Sequence, residues 1–210
     1  MRIITVSREF GSGGRELGKR LSEKLGIAYY DKEIITEIAR SSDLDEKYVE
    51  KVLENSVQHY AMTLAHSFAH FSVQDASSPN LLAQQTLVIK NLASKGDCVI
   101  VGRSADVILR DLSPMRLFVY SDMESKVERC RARSGEDDAL TVKQMIRKIK
   151  QIDHARAANH DFVSPIPWGD RSGYDLCINT TGSDIKSLIP SLASYCENWF
   201  SSRGVSSEGK

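Results

Sequence analysis

The chain has 210 residues, of which 41% are hydrophobic and 27% are charged, and its 28 basic residues balance 28 acidic ones. These values are typical of one soluble globular domain, and the neutral balance argues against a protein that binds long nucleic-acid backbones. No apolar stretch approaches the roughly 18 residues that a membrane-spanning helix needs, and the start of the chain has no signal-peptide pattern. The four cysteines form no CxxC pair. We therefore expect reduced thiols, no zinc motif and a cytoplasmic protein.

Short apolar runs alternate with amphipathic segments along the chain. The short runs predict strands, and the segments between them predict helices. Alternation of this kind implies an α/β fold, in which a parallel sheet is flanked by helices on both faces. The predicted strands lie at 3–6, 27–31, 98–101, 116–120 and 175–179.

Other segments complete the organisation that we predict for a single domain over residues 1–200. Residues 41–95 have the pattern of a mostly helical insertion, broken by a loop at 75–80. The last helix is kinked or begins at Pro190, because proline lacks the N–H that a helix interior requires. Residues 201–210 are rich in serine and glycine and predict a disordered tail.

A glycine-rich segment, SREFGSGGRELGKR, follows the first predicted strand and leads into a helix. Gly11, Gly13 and Gly14 allow backbone N–H groups to approach a phosphate, the N-terminus of the helix adds partial positive charge, and Ser12 adds a hydroxyl donor. In an open parallel sheet such a loop lies at the carboxyl end of a strand, where ligands bind. The alternative is a tight turn that binds nothing, but the position of the loop favours phosphate binding.

The segment GGRELGKRLSEKLG is similar to the GKSTxAxxLAEKLG pattern of nucleoside monophosphate kinases, especially bacterial cytidylate kinases. Further matching pieces are YYDKEII, CVIVGRSAD, RLFVYSDMESKVERCRAR, IDHARAANH and WGDRSGYDLCINT. From residue 7 to residue 180 the chain therefore resembles the cytidylate kinase-like family. The resemblance implies a fold of the P-loop kinase type, with ATP and Mg²⁺ as cofactors. It also implies transfer of the γ-phosphoryl group to CMP, dCMP or a related small acceptor.

The glycine-rich segment departs from the family pattern at its functional positions. Gly14 stands in place of the lysine that bridges the β- and γ-phosphates, and Arg15 replaces the hydroxyl that holds Mg²⁺. A guanidinium can clamp a polyphosphate, so we expect Arg15, or else Arg8 at the strand end, to replace the lysine. The alternative for Arg15 is a solvated residue of the first helical turn. The expected ATP-binding set is Arg8, Gly11, Ser12, Gly13, Gly14 and Arg15.

The resemblance also implies an acceptor site beside the third predicted strand. Arg103 corresponds to the arginine that lines the nucleoside monophosphate site in cytidylate kinases, with a structural salt bridge as the alternative. Ser104 stands where that family has an aspartate, and Asp106 follows two residues later. The resemblance places Gln85 near the acceptor. Asp31 contacts the acceptor sugar or base, or it caps the next helix, where aspartate is favoured.

A basic helix predicted at 141–158 resembles part of the lid of these kinases, which we place at about 141–172. In the family the pattern is Arg-Asp-x-x-Asp-Ser-x-Arg, and Asp153 and Arg156 fit its last aspartate and arginine. The resemblance implies that Arg147, Arg156 and Asp153 act on the migrating phosphoryl group together with the loop arginine Arg15. A charged, solvated helix is the alternative.

The sequence thus predicts an ATP-dependent kinase of a small acceptor, without protein metal ligands. The alternatives are a kinase of another acceptor and a non-catalytic nucleotide-binding module, whose aliphatic insertion helices could form a homodimer. Convergence of Arg103, Arg147 and Arg156 on one cleft would favour a kinase. Trp168 and Tyr174 either stack on adenine or pack against the last strand.

Overall fold

The computed structural model describes residues 1–53, 77–133 and 140–204, and its strands form one parallel sheet. The strands are β1 (Ile3–Arg8), β2 (Ala28–Tyr30), β3 (Cys98–Val101), β4 (Met115–Tyr120) and β5 (Leu176–Asn179). Every neighbouring pair is parallel, and the order across the sheet is β2-β3-β1-β4-β5. The sheet confirms the parallel α/β fold that the sequence predicts.

Helices follow the strands along the chain. Helix α1 ends at Gly26, whose left-handed backbone (φ 64°) is the helix stop that the sequence predicts. The helices are α1 (Gly14–Leu25), α2 (Lys32–Ser42), α3 (helical residues 46–53), α4 (Ser77–Ala93), α5 (Ala105–Ile108), α6 (Met123–Arg133), α7 (Val142–Asp161) and α8 (Ile185–Ser201). The expected lid helix is therefore α7, and the last helix continues to Ser201.

Side chains of the central strand alternate between two hydrophobic layers. Ile3 packs in a core with α2, α3 and α4, whereas Ile4 and Val6 pack in a second core with α1 and α8. A third, smaller cluster joins α6 to α7 through Val127 and Ile149. Each fully buried aliphatic side chain contributes roughly 1.5–3 kcal/mol of hydrophobic stabilisation. These clusters therefore fix the positions of the helices against the sheet.

The start of α4 differs from the prediction. Residues 77–80 were expected to belong to a loop, yet they are helical and belong to α4. Pro79 therefore does not end this helix. Within the predicted insertion, residues 54–76 lie outside the part of the chain that the structure describes, as do residues 205–210 of the predicted tail.

The structure excludes one of the two predictions for α8, namely a start at Pro190. The helix begins at Ile185 and runs through Pro190, which is an interior residue and not the first one. Asp184 caps this start, since its carboxylate accepts hydrogen bonds from the N–H groups of Lys186 and Ser187. This aspartate cap outweighs the signal of the proline.

The strand order brings several loops to one edge of the sheet. Strand β1 has β3 on one side and β4 on the other. The segments at the ends of these strands, residues 9–13, 102–104 and 121–122, therefore lie side by side at the carboxyl edge. In open parallel sheets this edge binds ligands. Among the described helices, none has the length and apolar character needed to cross a membrane.

Candidate active site

The glycine loop, residues 9–13, joins β1 to α1 in close contact with two helices. Gly11 and Gly13 have left-handed backbones, with φ of 80° and 84°. A Cβ on Gly11 would lie 2.9 Å from the carbonyl oxygen of Lys126, and one on Gly13 would lie 2.6 Å from Cδ1 of Ile185. Because both positions combine positive φ with no room for a side chain, they require glycine.

Backbone donors are available where the loop enters α1. Within the described chain, no acceptor bonds the N–H groups of Gly13, Gly14 and Arg15. They lie at the N-terminus of a 12-residue helix, whose dipole adds partial positive charge. Such an arrangement favours an anion. The hydroxyl of Ser12 is different, because it is fully buried and donates to the carbonyl oxygen of Glu9 at 2.8 Å. Ser12 therefore shapes the loop.

Arg8 extends from the end of β1 towards the end of β3. A Cβ on Gly102 would lie 1.9 Å from Nη1 of Arg8, so the guanidinium lies directly on the backbone of Gly102. A Cβ on Gly14 would lie 2.5 Å from Cβ of Arg8. Because glycine has no side chain, Gly14 and Gly102 leave room for the Arg8 side chain to extend from the end of β1 to the end of β3.

Positive charges cluster around Arg8. Burial lowers the pKa of Arg8 well below its usual value, and the charges of Arg156, Arg103 and Arg15 lower it further. The carboxylate of Asp31 opposes this effect only in part. None of the acidic side chains in the described ranges forms an ion pair with Arg8. A cluster of this sign and density attracts an anion.

Arg15 and Asp31 form an ion pair at the margin of this cluster. Arg15 Nε lies 2.5 Å from Asp31 Oδ2, and the arginine side chain is 53% exposed. Asp31 occupies the N-cap position of α2, but its side chain accepts no capping hydrogen bond. Arg15 is thus half-solvated and paired, and Asp31 holds this arginine without bonding the helix end. Exposed pairs contribute at most about 1 kcal/mol.

A strained turn follows β3 and carries the predicted acceptor arginine. Gly102, Arg103 and Ser104 all have left-handed backbones, with φ of 75°, 58° and 50°. For residues other than glycine this conformation costs roughly 1–3 kcal/mol each, and such strain clusters at binding sites. Gln85 donates a hydrogen bond to the carbonyl oxygen of Arg103 at 3.4 Å. The structure therefore brings Arg103 and Gln85 together.

The second half of α7 contacts the glycine loop at two places. Asp153 Oδ1 accepts a hydrogen bond from the N–H of Phe10 at 2.6 Å, and Arg156 Nη1 donates to the carbonyl oxygen of Arg8 at 3.1 Å. The Arg156 guanidinium also lies 5.5 Å from the centre of the Phe10 ring. Burial raises the pKa of Asp153, against the opposing effects of the Phe10 N–H and Lys126. Asp153 therefore holds the loop and does not face the cavity.

Arg147 lies outside the arrangement that the sequence predicts. It is exposed near the start of α7 and does not contribute to the cavity wall, whereas Lys148 does. The cavity-facing positions of α7 follow the helical period backwards from Arg156 through Ile152 to Lys148. Counting back from Arg156 by two turns would have selected Lys148, so the sequence contained this signal.

Asp106 and His160 form a buried pair that the sequence analysis only half predicted. His160 Nε2 lies 2.9 Å from Asp106 Oδ2, and the side chains are 6% and 5% exposed. Nδ1 lies 3.3 Å from Asp161 Oδ1. Burial lowers the pKa of His160, but the hydrogen bonds to the two aspartates outweigh it and raise the pKa above 6.5. His160 lines the cavity and Asp106 does not, so Asp106 orients the imidazole. His160 follows Arg156 by four residues, so the helical period places both on the same face of α7, and this spacing could have identified His160 from the sequence.

The two aromatic side chains near β5 pack together with β4. The Phe118 ring centre lies 5.3 Å from Trp168, edge to face, and 4.9 Å from Tyr174. Tyr174 is buried, whereas Trp168 also reaches the cavity wall. Of the two sequence-based interpretations, packing against the sheet is the one that the structure supports.

A cavity of about 370 Å³ lies between the end of β1, the turn after β3 and α7. Its basic side chains come from three elements, and the described residues that line it include no aspartate or glutamate. Apolar and uncharged polar side chains line the rest of the wall. The basic residues are Arg8, Arg103, Lys148, Arg156 and His160, and the apolar ones include Leu53, Leu82, Ile108, Ile152, Phe162 and Trp168.

A parallel sheet whose central strand leads through a glycine loop into a helix is the architecture of P-loop kinases. Solved kinases of this class overlay the chain over nearly its whole length, so the chain has a kinase-like fold related to shikimate kinases. Residues 3–182 match the family model described as the cytidylate kinase-like family. The chain belongs to this cytidylate kinase-like family.

Several solved structures share the fold. An uncharacterized protein from Eubacterium ventriosum is 26% identical, with a TM-score of 0.66 and coverage of 93% of this chain and 98% of that one. The shikimate kinase from Bacteroides thetaiotaomicron is 14% identical, with a TM-score of 0.58 and coverage of 93% and 98%. The shikimate kinase from Aquifex aeolicus is 17% identical, with a TM-score of 0.51 and coverage of 92% and 96%. A search of curated protein sequences found no match.

Proposed function

We propose that the chain is an ATP-dependent phosphotransferase whose acceptor carries a phosphate, with CMP and dCMP as the first candidates. The charge of the cavity is the observation that carries this proposal. Five basic side chains line it, and the described lining residues include no acid. Transfer between two phosphorylated molecules concentrates negative charge in one place, and a cavity with this lining offsets that charge.

The same lining argues against an alcohol as the acceptor. Protein kinases, which phosphorylate hydroxyl groups, use an aspartate that accepts the hydroxyl proton, whereas a phosphate acceptor is already an anion. His160 is poorly suited to be that base, because its two ring nitrogens contact the carboxylates of Asp106 and Asp161. Its raised pKa also favours the protonated imidazolium.

The glycine loop is the proposed site of the donor phosphates. The N–H groups of Gly13, Gly14 and Arg15 hold the β-phosphate of ATP at the start of α1. An oxygen of the acceptor phosphate attacks the γ-phosphorus, the bond from this phosphorus to the bridging oxygen breaks, and ADP leaves with the electron pair. Arg8 extends from this loop towards the acceptor cavity, so we assign to it the charge of the missing lysine. Arg15, paired with Asp31, ranks second.

Magnesium neutralises phosphate charge in reactions of this class when it is bound. The described residues include no group of three histidine, cysteine or acidic side chains that could hold a metal ion. Arg15 replaces the usual hydroxyl ligand, and the hydroxyl of Ser12 donates to the carbonyl oxygen of Glu9. Neither Ser12 nor Arg15 therefore offers a free hydroxyl oxygen as a ligand for the ion. The electrostatic stabilisation that we assign to the protein comes from Arg8, Arg103 and Arg156.

A different phosphorylated acceptor is the second candidate. Cytidylate kinases have an aspartate where this chain has Ser104, and the nearby Asp106 is buried behind His160. Recognition of a cytosine base through that aspartate is therefore weakened. The apolar part of the cavity, including Phe162 and Trp168, would suit an acceptor body with a ring. We expect a small-molecule acceptor in either case, and no nucleic acid.

The cysteines agree with a cytoplasmic enzyme, which is part of this proposal. All four are free thiols, and Cys98 and Cys196 are buried. Burial raises the pKa of both thiols, to about 12 in each case, so they stay protonated and unreactive. Free thiols are the ordinary state of cysteine in a reducing compartment.

The test is to incubate the protein with ATP, Mg²⁺ and separate nucleoside monophosphates, sugars and other alcohols, and to measure ADP formation. We expect turnover with at least one nucleoside monophosphate and none with the alcohols. Turnover with an alcohol alone would contradict the phosphate acceptor. Binding of ATP without turnover by any acceptor would favour the non-catalytic module.

A further inference from the structure

Lys126 of α6 is a buried lysine to which the proposed reaction assigns no role. Its side chain is 6% exposed, and Nζ lies 2.6 Å from Glu9 Oε2 and 3.4 Å from Asp153 Oδ2. Lysine is almost never buried to this degree unless it is paired, because an ammonium group loses its hydration. Here it joins two carboxylates, one from the glycine loop and one from α7.

Each of these carboxylates also holds a backbone N–H group. Glu9 Oε2 accepts a hydrogen bond from the N–H of Ser121 at 3.1 Å, at the end of β4. Asp153 Oδ1 accepts one from the N–H of Phe10 at 2.6 Å. The ammonium thus links the first half of the glycine loop to the end of β4 and to the second half of α7. Without the ammonium, the two carboxylates would face each other partly buried, and repulsion would separate them.

We propose that Lys126 is a positioning residue for the phosphate donor, an inference that rests on the proposed function. By fixing Glu9 and Phe10, it sets the place of the N–H groups of Gly13 and Gly14 that would bind the β-phosphate of ATP. Catalytic geometry of this kind tolerates little displacement, since a shift of about 1 Å can cost roughly 100-fold in rate.

Lys126 acts through the loop and not by contact with phosphate. With both carboxylates ionised, one ammonium and two carboxylates leave a net charge of −1 around Nζ, and Lys126 does not line the cavity. The loop also lies directly on α6, because a Cβ on Gly11 would approach the carbonyl oxygen of Lys126 to 2.9 Å. The loop is thus in contact with Lys126 both through the backbone of α6 and through the ion pair between Nζ and Glu9.

The same lysine also fixes the register of α7 against the loop. Asp153 and Arg156 are one helical turn apart, and both contact the loop residue Phe10, while Arg156 also bonds the carbonyl oxygen of Arg8 at the end of β1. When Lys126 holds Asp153 in place, Arg156 is held at the edge of the acceptor cavity. The lysine thus couples the donor side of the site to the acceptor side.

The experiment compares Lys126→Met with the double variant Lys126→Met/Asp153→Asn, in the full chain. The single change leaves two carboxylates without their cation and can prevent folding, whereas the double change removes one of the two charges and keeps an amide oxygen for the Phe10 N–H. Lys143→Met is the control, because Lys143 is an exposed lysine at the start of α7, the helix that carries Asp153. ATP affinity by calorimetry, KM for ATP and kcat are measured, together with thermal unfolding.

A positioning role predicts that the double variant recovers the wild-type unfolding temperature but binds ATP at least 10-fold more weakly, with a matching rise in KM for ATP. The Lys143 control keeps wild-type values. If Lys126 has only a structural role, the double variant should recover both ATP affinity and stability, and that result would overturn the proposal. Wild-type ATP affinity in a folded Lys126→Met variant would overturn it as well. If the double variant does not fold, Lys126 is a stability residue and the proposal is wrong. A wild-type protein that does not bind ATP would instead reject the proposed function itself, and this inference with it.

Discussion

The guanidinium of Arg8 lies directly on the backbone of Gly102, where an added Cβ would be 1.9 Å from Nη1. This contact joins the end of β1 to the end of β3, across the edge at which the glycine loop meets the acceptor cavity. Arg8 stands where the P-loop pattern of the family has its first glycine, and this contact explains how an arginine fits at that position. The side chain leaves the loop and passes over the neighbouring strand, so the loop backbone remains available for phosphate.

The first prediction concerns Gly102→Ala. The new methyl group displaces the Arg8 guanidinium and also strains a backbone with φ of 75°. We expect kcat/KM to fall roughly 100-fold, as for the loss of one stabilising donor in the transition state. Steady-state kinetics with ATP and the best acceptor measure this. Gly26→Ala is the control, because its φ is 64° but no atom lies within 4 Å of the added Cβ. A similar loss of activity in both variants would show that strain alone is responsible.

The second prediction separates the two candidates for the missing lysine. Arg8 lies between loop and cavity, whereas Arg15 is half-exposed and paired with Asp31. We expect Arg8→Ala to lower kcat by roughly 100- to 1,000-fold and Arg15→Ala by less than about 10-fold. Single-turnover measurements with saturating ATP would resolve the two effects. The reverse order would return the role to Arg15.

The third prediction uses two neighbours on α7. Lys148 lines the cavity and Arg147 is exposed away from it. Lys148→Ala should raise KM for the acceptor roughly 10-fold, because one charge near a bound phosphate is lost, while Arg147→Ala should change it less than about twofold. Acceptor titrations at saturating ATP make the comparison. If Arg147→Ala had the larger effect, α7 would have to turn during the reaction.

The fourth prediction is a pH dependence of stability at His160. The groups that face its ring are Asp106 of α5 and Asp161 at the end of its own helix, with Ser7 of β1 bonded to Asp106. Burial opposes the charged form, but these carboxylates raise the pKa above 6.5. A raised folded-state pKa stabilises the fold fully below pH 6.5, and this contribution is lost as the pH rises through the folded-state pKa.

Urea unfolding of wild type and His160→Gln from pH 5.5 to pH 9 tests this point. Loss of the charge-assisted hydrogen bonds should cost roughly 1.5–3 kcal/mol at the acidic end, and the difference should shrink towards alkaline pH. His154→Gln, an exposed residue of the same helix, should show no such trend. A difference that grows with pH would mean that His160 is neutral in the folded protein.

The sequence is sufficient for the sheet because each strand of this fold is a short apolar run between helical segments. Contacts between residues far apart in the chain were not predictable in the same way. Nothing in the local pattern around Arg8 indicates that its side chain crosses to Gly102, since this depends on the pairing of β1 with β3. The helical residues 77–80 were missed because the segment DASSPN consists largely of residues that are common in loops.

The site residues divide along the same line. Arg103 and Arg156 were found through the family resemblance, and both line the cavity. Arg147 was also selected through the resemblance to the lid of these kinases, although it matches no position of the quoted family pattern and the helical period anchored on Arg156 selects Lys148. The roles of Asp153 and Lys126 emerge only when α6, α7 and the loop are packed together, because their partners are more than 20 positions away.

The central claim is that the cavity holds a phosphate as the acceptor group. The most direct test is to incubate the wild-type protein with ATP labelled with ³²P at the γ-phosphate and an equimolar mixture of CMP and cytidine, and to separate the labelled products at early times by anion-exchange chromatography. We predict labelled CDP, in which the label lies in a new phosphoanhydride. Labelled CMP, formed from the hydroxyl group of cytidine, would contradict the claim.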